Sequence, residues 1–542
     1  MTADILLAAG GVGLFLLGML VLTDGLRGLA GNALRRMLAR FTRSPVSGAA
    51  TGAFTTAVIQ SSSATTVTAI GFVGAGLLTF PQALGIIFGA NIGTTMTGWL
   101  VAILGFKLRL GEIALPLLLL GVLLRLFGGR RFGEIGWALA GFSLLFIGID
   151  AMQQGLAAFE GTVTPDDFPP DTLLGRLQLV LIGVAITLVT QSSSAGVAAA
   201  LVALGTGTIS FPQAAAMVIG MDIGTTFTAA LATVGGSTAT RQTGYAHVIY
   251  NLFTGAMALV LLGPFAAAAE AWIAGGGAGD AQVALVAFHT TFNAIGVLLV
   301  LPFTHVFARV IVWLAPETGP PLLRRLDERL LGDPAAAADA AVATVRDIAH
   351  ALFGILADLL DSEKRAGFDP ARLQAVGEAL EATRRFVERI RTEPAQPLPH
   401  RRHIATMHAL DHLSRLHHRC TQRPRIEALG SDARLRRLSA VLRDVTAPLP
   451  ETADLAAAED RLDRLRTVLR RQRRSYRQRT VAAASRHEID ADAALQRLDS
   501  VRWLHRVAYH NWRILHHLRR GEQQTPAPPD ATEDRADLDE ED

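Results

Sequence analysis

Residues 60–64 read Gln60-Ser61-Ser62-Ser63-Ala64, a polar tetrad and an alanine set between two apolar runs within 47–78. The run before the tetrad is about a dozen residues long, enough helix to cross only half of a hydrocarbon core. Non-helical backbone at that depth survives only where it is buried in protein or lines a cavity. The stretch predicts a helix that enters a membrane, breaks at the tetrad and turns. The same letters then recur. Gln191-Ser192-Ser193-Ser194-Ala195 repeats them at an offset of 131. Phe80-Pro81-Gln82-Ala83 matches Phe211-Pro212-Gln213-Ala214, and Asn91-Ile92-Gly93-Thr94-Thr95 matches Asp222-Ile223-Gly224-Thr225-Thr226. Between 60–102 and 191–233, 19 of 43 aligned positions are identical, which makes this an internal duplication. A weaker match at an offset of 130 pairs Leu14, Gly18, Gly25 and Leu26 with Leu144, Gly148, Gly155 and Leu156.

Charge divides the chain near Pro320. Only 26 charged residues lie in 1–320, against 73 in the remaining 222, and 45 of the 51 glycines fall in the first part. The first part reads as a polytopic membrane domain and the second as a charged, soluble helical domain. A wholly soluble enzyme is excluded. The first apolar run has no basic segment before it, so it reads as a retained transmembrane helix rather than a cleaved signal. Candidate spans are 5–23, 82–104, 113–127, 134–152, 178–190, 212–234, 243–268 and 281–314. The single cysteine, Cys420, forbids an internal disulfide framework, and a net charge of +3 does not point to nucleic acid.

Basic residues set the expected orientation. Arg27, Arg35, Arg36, Arg40 and Arg43 in 24–46, and Arg130 and Arg131 in 128–133, mark cytoplasmic loops. Glu160, Asp166, Asp167 and Asp171 mark an outside segment. The first helix of copy one then runs inward and its counterpart at 134–152 runs outward. Inverted repeats with paired interrupted segments are a signature of secondary transporters, whose substrate sits between the copies.

Serine hydroxyls both donate and accept, and a helix N-terminus adds amide donors and positive dipole, which suit an anion. Gln60, Ser61, Ser62 and Ser63 with Gln191, Ser192, Ser193 and Ser194 are therefore the candidate substrate-binding set. Helix C-terminal carbonyls and Thr or Asn oxygens suit sodium. Asn91, Thr94, Thr95, Asp222, Thr225 and Thr226 are candidates for sodium or substrate. Asp222 is an ionisable residue inside a membrane segment, so it can ligate a cation, carry a proton or hydrogen-bond at a helix end. His247 with Asn251 and His289 with Asn293 are i, i+4 pairs, lining a pathway or, as the plainer reading, bonding helices together.

These paired motifs resemble the type II sodium/phosphate cotransporter family over about 1–315. The resemblance implies an all-α polytopic membrane protein with two inverted repeats containing broken helices. It implies sodium-coupled movement of inorganic phosphate across the plasma (inner) membrane by alternating access, with the QSSS motifs in the transport core. One departure is Asp222, where bacterial relatives often carry asparagine in both copies, and it bears on the choice of coupling ion. The expected boundaries are a transport domain at 1–318, with repeat one at 5–127, repeat two at 134–268 and a further helix at 281–314. Expected partners are phosphate, sodium ions and membrane lipid, with a homodimer allowed, no metal, no further cofactor and no nucleic acid.

Residues 322–520 are rich in Ala, Leu, Arg, Asp and Glu, with apolar spacings such as Leu356, Leu359 and Leu360 that fit amphipathic helices. About six helices are expected, broken at Asp369-Pro370, 394–399 and 447–450. In order and length this half resembles the PhoU-like regulatory domain fused to bacterial members of the transporter family. His408 and His412 are expected to be surface histidines, and Arg470 to Arg479 a solvated or membrane-facing basic run. Residues 523–542 have the composition of a disordered acidic tail. The alternatives are a phosphate-responsive sensor without net transport, and a carrier for a different oxyanion. An enzyme is not expected, because no nucleophile–base constellation appears.

Overall fold

The computed structural model describes residues 2–74, 77–107, 110–233, 237–274, 281–316, 320–394, 397–449 and 454–522. The expected acidic tail at 523–542 lies outside the described residues. Among the described residues there are helices and no strands. The chain divides into two compact units, Met1–Glu317 and Thr318–Asp542.

The first unit contains α1 (Thr2–Phe41), α2 (Pro45–Ile59), α3 (Ser62–Gly74), α4 (Phe80–Leu100), α5 (Gly111–Phe127) and α6 (Gly129–Ala157). It continues with α7 (Leu173–Thr190), α8 (Ser193–Gly205), α9 (Phe211–Thr233), α10 (Thr238–Ala274), α11 (Ala281–Val300) and α12 (Thr304–Leu314). Among the described residues of this unit, six helical stretches are long and apolar enough to cross a membrane. The protein is a multi-pass membrane protein.

The helix ends differ from the expected spans in instructive ways. α1 does not stop at residue 23: no proline interrupts it before Phe41, so Arg27, Arg35, Arg36 and Arg40 lie on a helix and not in a loop. Arg130 and Arg131 likewise begin α6, leaving Gly128 alone between α5 and α6. The span 281–314 is two helices, because Pro302 lies in a short 3-10 turn at Leu301–Phe303. α4 runs on through a π-helical turn at Val101–Lys107.

Glycines let the backbones touch. A methyl group on Gly11 would lie 2.7 Å from the Gly148 carbonyl oxygen, and one on Gly18 would lie 2.8 Å from that of Gly141. Gly25 faces Ala138, and Gly155 faces Ala8. Numbers rise on α1 as they fall on α6, so the two helices are antiparallel. The pairs are also reciprocal. Gly18 and Gly148 are repeat mates, and so are Gly11 and Gly141, and each mate touches the other's mate. Such self-complementary pairing belongs to a two-fold axis. The first helices of the two copies therefore run in opposite directions.

Within each copy a second stripe recurs. Gly85 abuts Pro45, Gly89 abuts Ala49 and Gly93 abuts Ala53, joining α4 to α2. The second copy does the same: Gly220 abuts Val180 and Gly224 abuts Val184, joining α9 to α7. Here numbers rise together, so each pair is parallel, with α3 or α8 in between.

The second unit contains α13 (Pro334–Leu360), α14 (Ser362–Ala366), α15 (Pro370–Glu388), α16 (Pro397–Cys420), α17 (Arg423–Glu427), α18 (Ala433–Thr446), α19 (Leu455–Ser485) and α20 (Ala491–Glu522). Asp333-Pro334 and Asp369-Pro370 start helices: each aspartate caps and each proline takes the first helical position. α13 is as apolar as a membrane span, yet most of that surface is buried within the structure, including Val345, Ile348, Leu352, Phe353 and Leu356.

One expectation fails here. His412 is 7% exposed and not a surface residue. α16 packs against α20, placing the His412 ring 5.6 Å from that of His517 and its Nδ1 3.2 Å from Nδ1 of His510. Arg513 Nε donates to His412 Nε2 at 3.2 Å. Burial and the Arg513 charge push His412 down to about 3 and His517 down to about 2.

Candidate functional site

The break between α2 and α3 falls on Gln60, and that between α7 and α8 on Gln191. Their φ angles are 58° and 54°; among the described residues His487 alone shares positive φ outside glycine. A side chain there costs about 1 kcal/mol or more, and local bonds compensate. Gln60 Nε2 donates to the Ala57 carbonyl at 2.5 Å, and Gln191 Nε2 to the Leu188 carbonyl at 2.6 Å. Each satisfies a terminal carbonyl of the helix it ends.

The first serine of each motif starts the next helix. Ser61 Oγ accepts from the Ala64 amide at 3.3 Å, and Ser192 Oγ from the Ala195 amide at 3.2 Å. Ser62 and Ser63, with Ser193 and Ser194, then open α3 and α8. First-turn amides have no helical acceptor and sit at the positive end of the helix dipole.

A threonine of α4 joins the two motifs. Thr97 Oγ1 on α4 donates to Gln60 Oε1 at 2.7 Å, and Ser194 Oγ donates to Thr97 Oγ1 at 3.5 Å. Thr97 was not singled out in the sequence, although its match with Thr228 at the repeat offset was the available signal. Arg27 was also missed as a site residue. The continued α1 carries its Nη2 to within 3.2 Å of Ser61 Oγ. Its repeat mate is Ala157, so the added positive charge belongs to copy one alone.

The threonines following Asn91 and Asp222 turn back onto their own helices. Thr94 Oγ1 donates to the Ala90 carbonyl at 2.9 Å and Thr95 to Ile92 at 2.7 Å, while Thr225 donates to Asp222 at 2.6 Å and Thr226 to Ile223 at 2.7 Å. Thr95 also accepts from Thr290 of α11 at 3.0 Å.

Asn91 and Asp222 meet in a second polar cluster. Asn91 Nδ2 donates to Asn251 Oδ1 at 2.5 Å, and Asn251 Nδ2 donates to the Asp222 carbonyl at 3.0 Å. The Asp222 carboxylate is held from α11: His289 Nε2 is 3.1 Å from Oδ1, and Asn293 Nδ2 donates to Oδ2 at 2.8 Å. Asn251, His289 and Asn293 thus each join helices. His289 Nδ1, Asn293 Oδ1, His247 Nε2 and Tyr250 Oη are buried without a hydrogen-bond partner. No group of three or more His, Cys, Asp or Glu side chains fit to hold one metal ion occurs among the described residues.

The family described as Na+/Pi-cotransporter matches residues 14–154 and 172–299. The "Uncharacterized protein YqeW" of Bacillus subtilis (strain 168) is 33% identical over 306 residues, covering 56% of this chain and 95% of that protein. The "Putative inorganic phosphate export protein YjbB" of Escherichia coli (strain K12) is 28% identical over 347 residues, covering 62% of this chain and 61% of that protein. A 60-residue stretch, 11% of this chain, is 42% identical to 9% of the "Sodium-dependent phosphate transport protein 2A" of Ovis aries. No solved structure matches the chain significantly.

Proposed function

The chain belongs to the Na+/Pi-cotransporter family, and from that premise we propose that it carries inorganic phosphate across the plasma (inner) membrane, coupled to sodium, by alternating access. The observation that supports this reading best is the Gln60–Thr97–Ser194 chain, which joins the broken helices of both copies. In this reading phosphate oxygens take the serine hydroxyls and the first-turn amides of α3 and α8, the positive ends of two helix dipoles. Arg27 adds a donor beside Ser61. Sodium takes the last-turn carbonyls of α2 and α7, the negative ends, and lowers the cost of burying a multiply charged anion.

The two-fold relation between the copies supplies two equivalent half-cycles, since each copy can adopt the conformation of the other. The second unit is cytoplasmic in this reading and regulates the carrier. The YjbB relatives bear a name of phosphate export. A coupled carrier runs either way, in the direction set by the summed gradients.

Labelled phosphate flux in proteoliposomes, driven by an imposed sodium gradient, tests this. Sodium-dependent flux is expected, while phosphate binding without flux would favour a sensor. Competition by sulfate or arsenate reads the anion class. Ser62→Ala and Ser193→Ala are each expected to cut flux about tenfold or more, the loss of one hydrogen bond to a charged group, with membrane insertion intact. Wild-type flux in both would remove the serines from the site.

A further inference from the structure

Helices α19 and α20 form an antiparallel pair whose register is fixed by three contacts. Glu459 Oε1 lies 2.8 Å from His516 Nδ1, Glu459 Oε2 accepts from Arg519 Nη1 at 2.9 Å, and the Arg466 guanidinium lies 4.2 Å from the centre of the Trp512 ring. Continuing that register sets Arg470 and Arg473 opposite Arg506 and Arg502. The side of α19 that enters the bundle carries Leu462, Leu465, Leu469 and Tyr476, all buried. Arg466, Arg470, Arg473 and Arg477 follow one another at steps of four, three and four residues, so they form a stripe beside that apolar side.

The seam is almost without acids. α19 has no Asp or Glu after Asp463, and α20 has none between Asp499 and Glu522. Asp463 and Asp499 are taken by Arg466 at 2.7 Å and Arg502 at 2.6 Å. Asp432, beside Tyr476, caps α18 through the amides of Arg434 and Leu435. Arg473 and Arg477 have no hydrogen bond or ion pair among the described residues. Arg473 is half-buried, and burial with the charges of Arg470, Arg474, Arg506 and Arg502 lowers its pKa. Burial and the charges of Arg473, Arg466, Arg470 and Arg506 push His505 down to about 4, so the guanidinium groups alone carry the positive charge here. Like charges held together destabilise a helix surface. An anion that bridges them relieves that repulsion across the whole group.

We propose that the α19–α20 seam is a binding site for an anion of several linked phosphoryl groups, held between Arg470, Arg473 and Arg477 on one side and Arg502 and Arg506 on the other. The basic groups of both helices are arginines without a single lysine, and the planar guanidinium fork matches phosphoryl oxygens in pairs. From Arg470 to Arg477 the stripe extends about 10 Å along the axis. One phosphate meets one or two of these forks, whereas a chain of phosphoryl groups meets them all. A flat lipid surface reaches exposed side chains such as Arg471, Arg474 and Arg479, but not Arg473 and Arg506, which are half-buried between the helices. A free polyphosphate and the phosphates of a nucleotide share this chemistry. Binding here does not depend on the transport reading, because the seam lies in the second unit.

The test is equilibrium binding of tripolyphosphate, ATP and orthophosphate to the full-length protein in nanodiscs of neutral phosphatidylcholine. Tripolyphosphate is expected to bind, and to bind less tightly as salt rises. Arg473→Gln and Arg506→Gln should each weaken it about tenfold or more, the loss of a charge-assisted contact. Arg486→Gln should not, since that guanidinium pairs with Glu488 beyond the seam. Equal losses in all three would mean diffuse attraction to a basic surface and would overturn the site. Orthophosphate binding, which the first unit accounts for in the transport reading, should be the same in every variant; if it is as sensitive as tripolyphosphate, the seam is not a site for linked phosphoryl groups. Equal affinity for ATP and tripolyphosphate supports a site for the phosphate chain alone, and tighter ATP supports the same site filled by a nucleotide. No binding of either, the result if the acids of residues 530–542 fill the seam, overturns the proposal. Loss of binding in nanodiscs containing phosphatidylglycerol would give the arginines to the lipid surface and also overturn it. If the variants fail to fold, hydrogen exchange in the wild type decides. Tripolyphosphate should protect 466–477 and 502–506, and unchanged exchange there refutes the site.

Discussion

Gln60 and Gln191, 131 residues apart, hold the same left-handed backbone and return their side-chain amides to the carbonyl three residues before them. The two differ in one respect. Gln60 also accepts from Thr97, whereas Gln191 is exposed. Replacing Gln60 by glycine relieves the backbone but removes the helix-ending amide and the link to Ser194; replacing it by alanine keeps the strain as well. Gln60→Ala should therefore melt below Gln60→Gly in detergent, by about 1 kcal/mol of stability. Flux should fall further in either than in Gln191→Gly. Equal losses at the two positions would show that Thr97 contributes nothing.

Glycine stripes make a second symmetric prediction. A methyl group at Gly89 would overlap the Ala49 carbonyl, and one at Gly220 would overlap that of Val180. Neither obstacle is a flexible side chain, so the helices must separate. Gly89→Ala and Gly220→Ala should each lose about 1–3 kcal/mol or more in thermal unfolding, as over-packed sites do. Gly10→Ala and Gly13→Ala meet nothing within 4 Å and serve as controls. Similar melting of all four variants would contradict the close approach of α2 to α4 and α7 to α9.

What could be read in the letters alone follows from this symmetry. The duplicated QSSSA and IGTT runs announced the breaks, because identity at a fixed offset survives without knowledge of any contact. The opposite directions of α1 and α6 were expected from basic residues, although two of the supposed loops proved helical. Gly25 and Gly28 look like helix breakers in a list of letters; Gly25 is instead where α1 touches Ala138 of α6. Arg27 could not be placed at Ser61 while α1 was thought to end at residue 23. The bonds of Asn251, His289 and Asn293 to Asp222 join residues up to 71 apart, and no local pattern encodes them. His412 has no repeat mate, and the charged residues along α16 masked the one face that packs on α20.

Arg27 gives the site an asymmetry that the motifs lack. Its guanidinium reaches Ser61 from α1, while Ala157 holds the matching place on α6. If phosphate sits against the serines, Arg27→Gln should raise the KM for phosphate about tenfold, the worth of one charge-assisted hydrogen bond. Arg27→Lys should recover part of it by keeping the charge. Ala157→Arg should not substitute for the loss. An unchanged KM in Arg27→Gln would leave Arg27 as a surface residue that only happens to touch Ser61.

The buried histidines of the second unit predict a stability that depends on acidity. His412 and His517 are held neutral, at about 3 and about 2, by burial and by the Arg513 charge. Their unfolded values lie near 6.5, so the unfolded chain takes up protons first as pH falls. The stabilisation is fully present above about pH 6.5 and is lost as pH drops from there toward the folded values. Each histidine contributes a slope of about 1.4 kcal/mol per pH unit over that window. Hydrogen-exchange protection of α16 and α20 in the full-length protein, corrected for the intrinsic exchange rate, should therefore decline between about pH 6.5 and about pH 5. His412→Leu should make that decline shallower, since a leucine cannot charge while His517 still can, whereas His487, which lies outside the cluster, should not alter it when replaced by asparagine. Protection that stays constant with pH in the wild type would mean that the α16–α20 contact does not bury these rings.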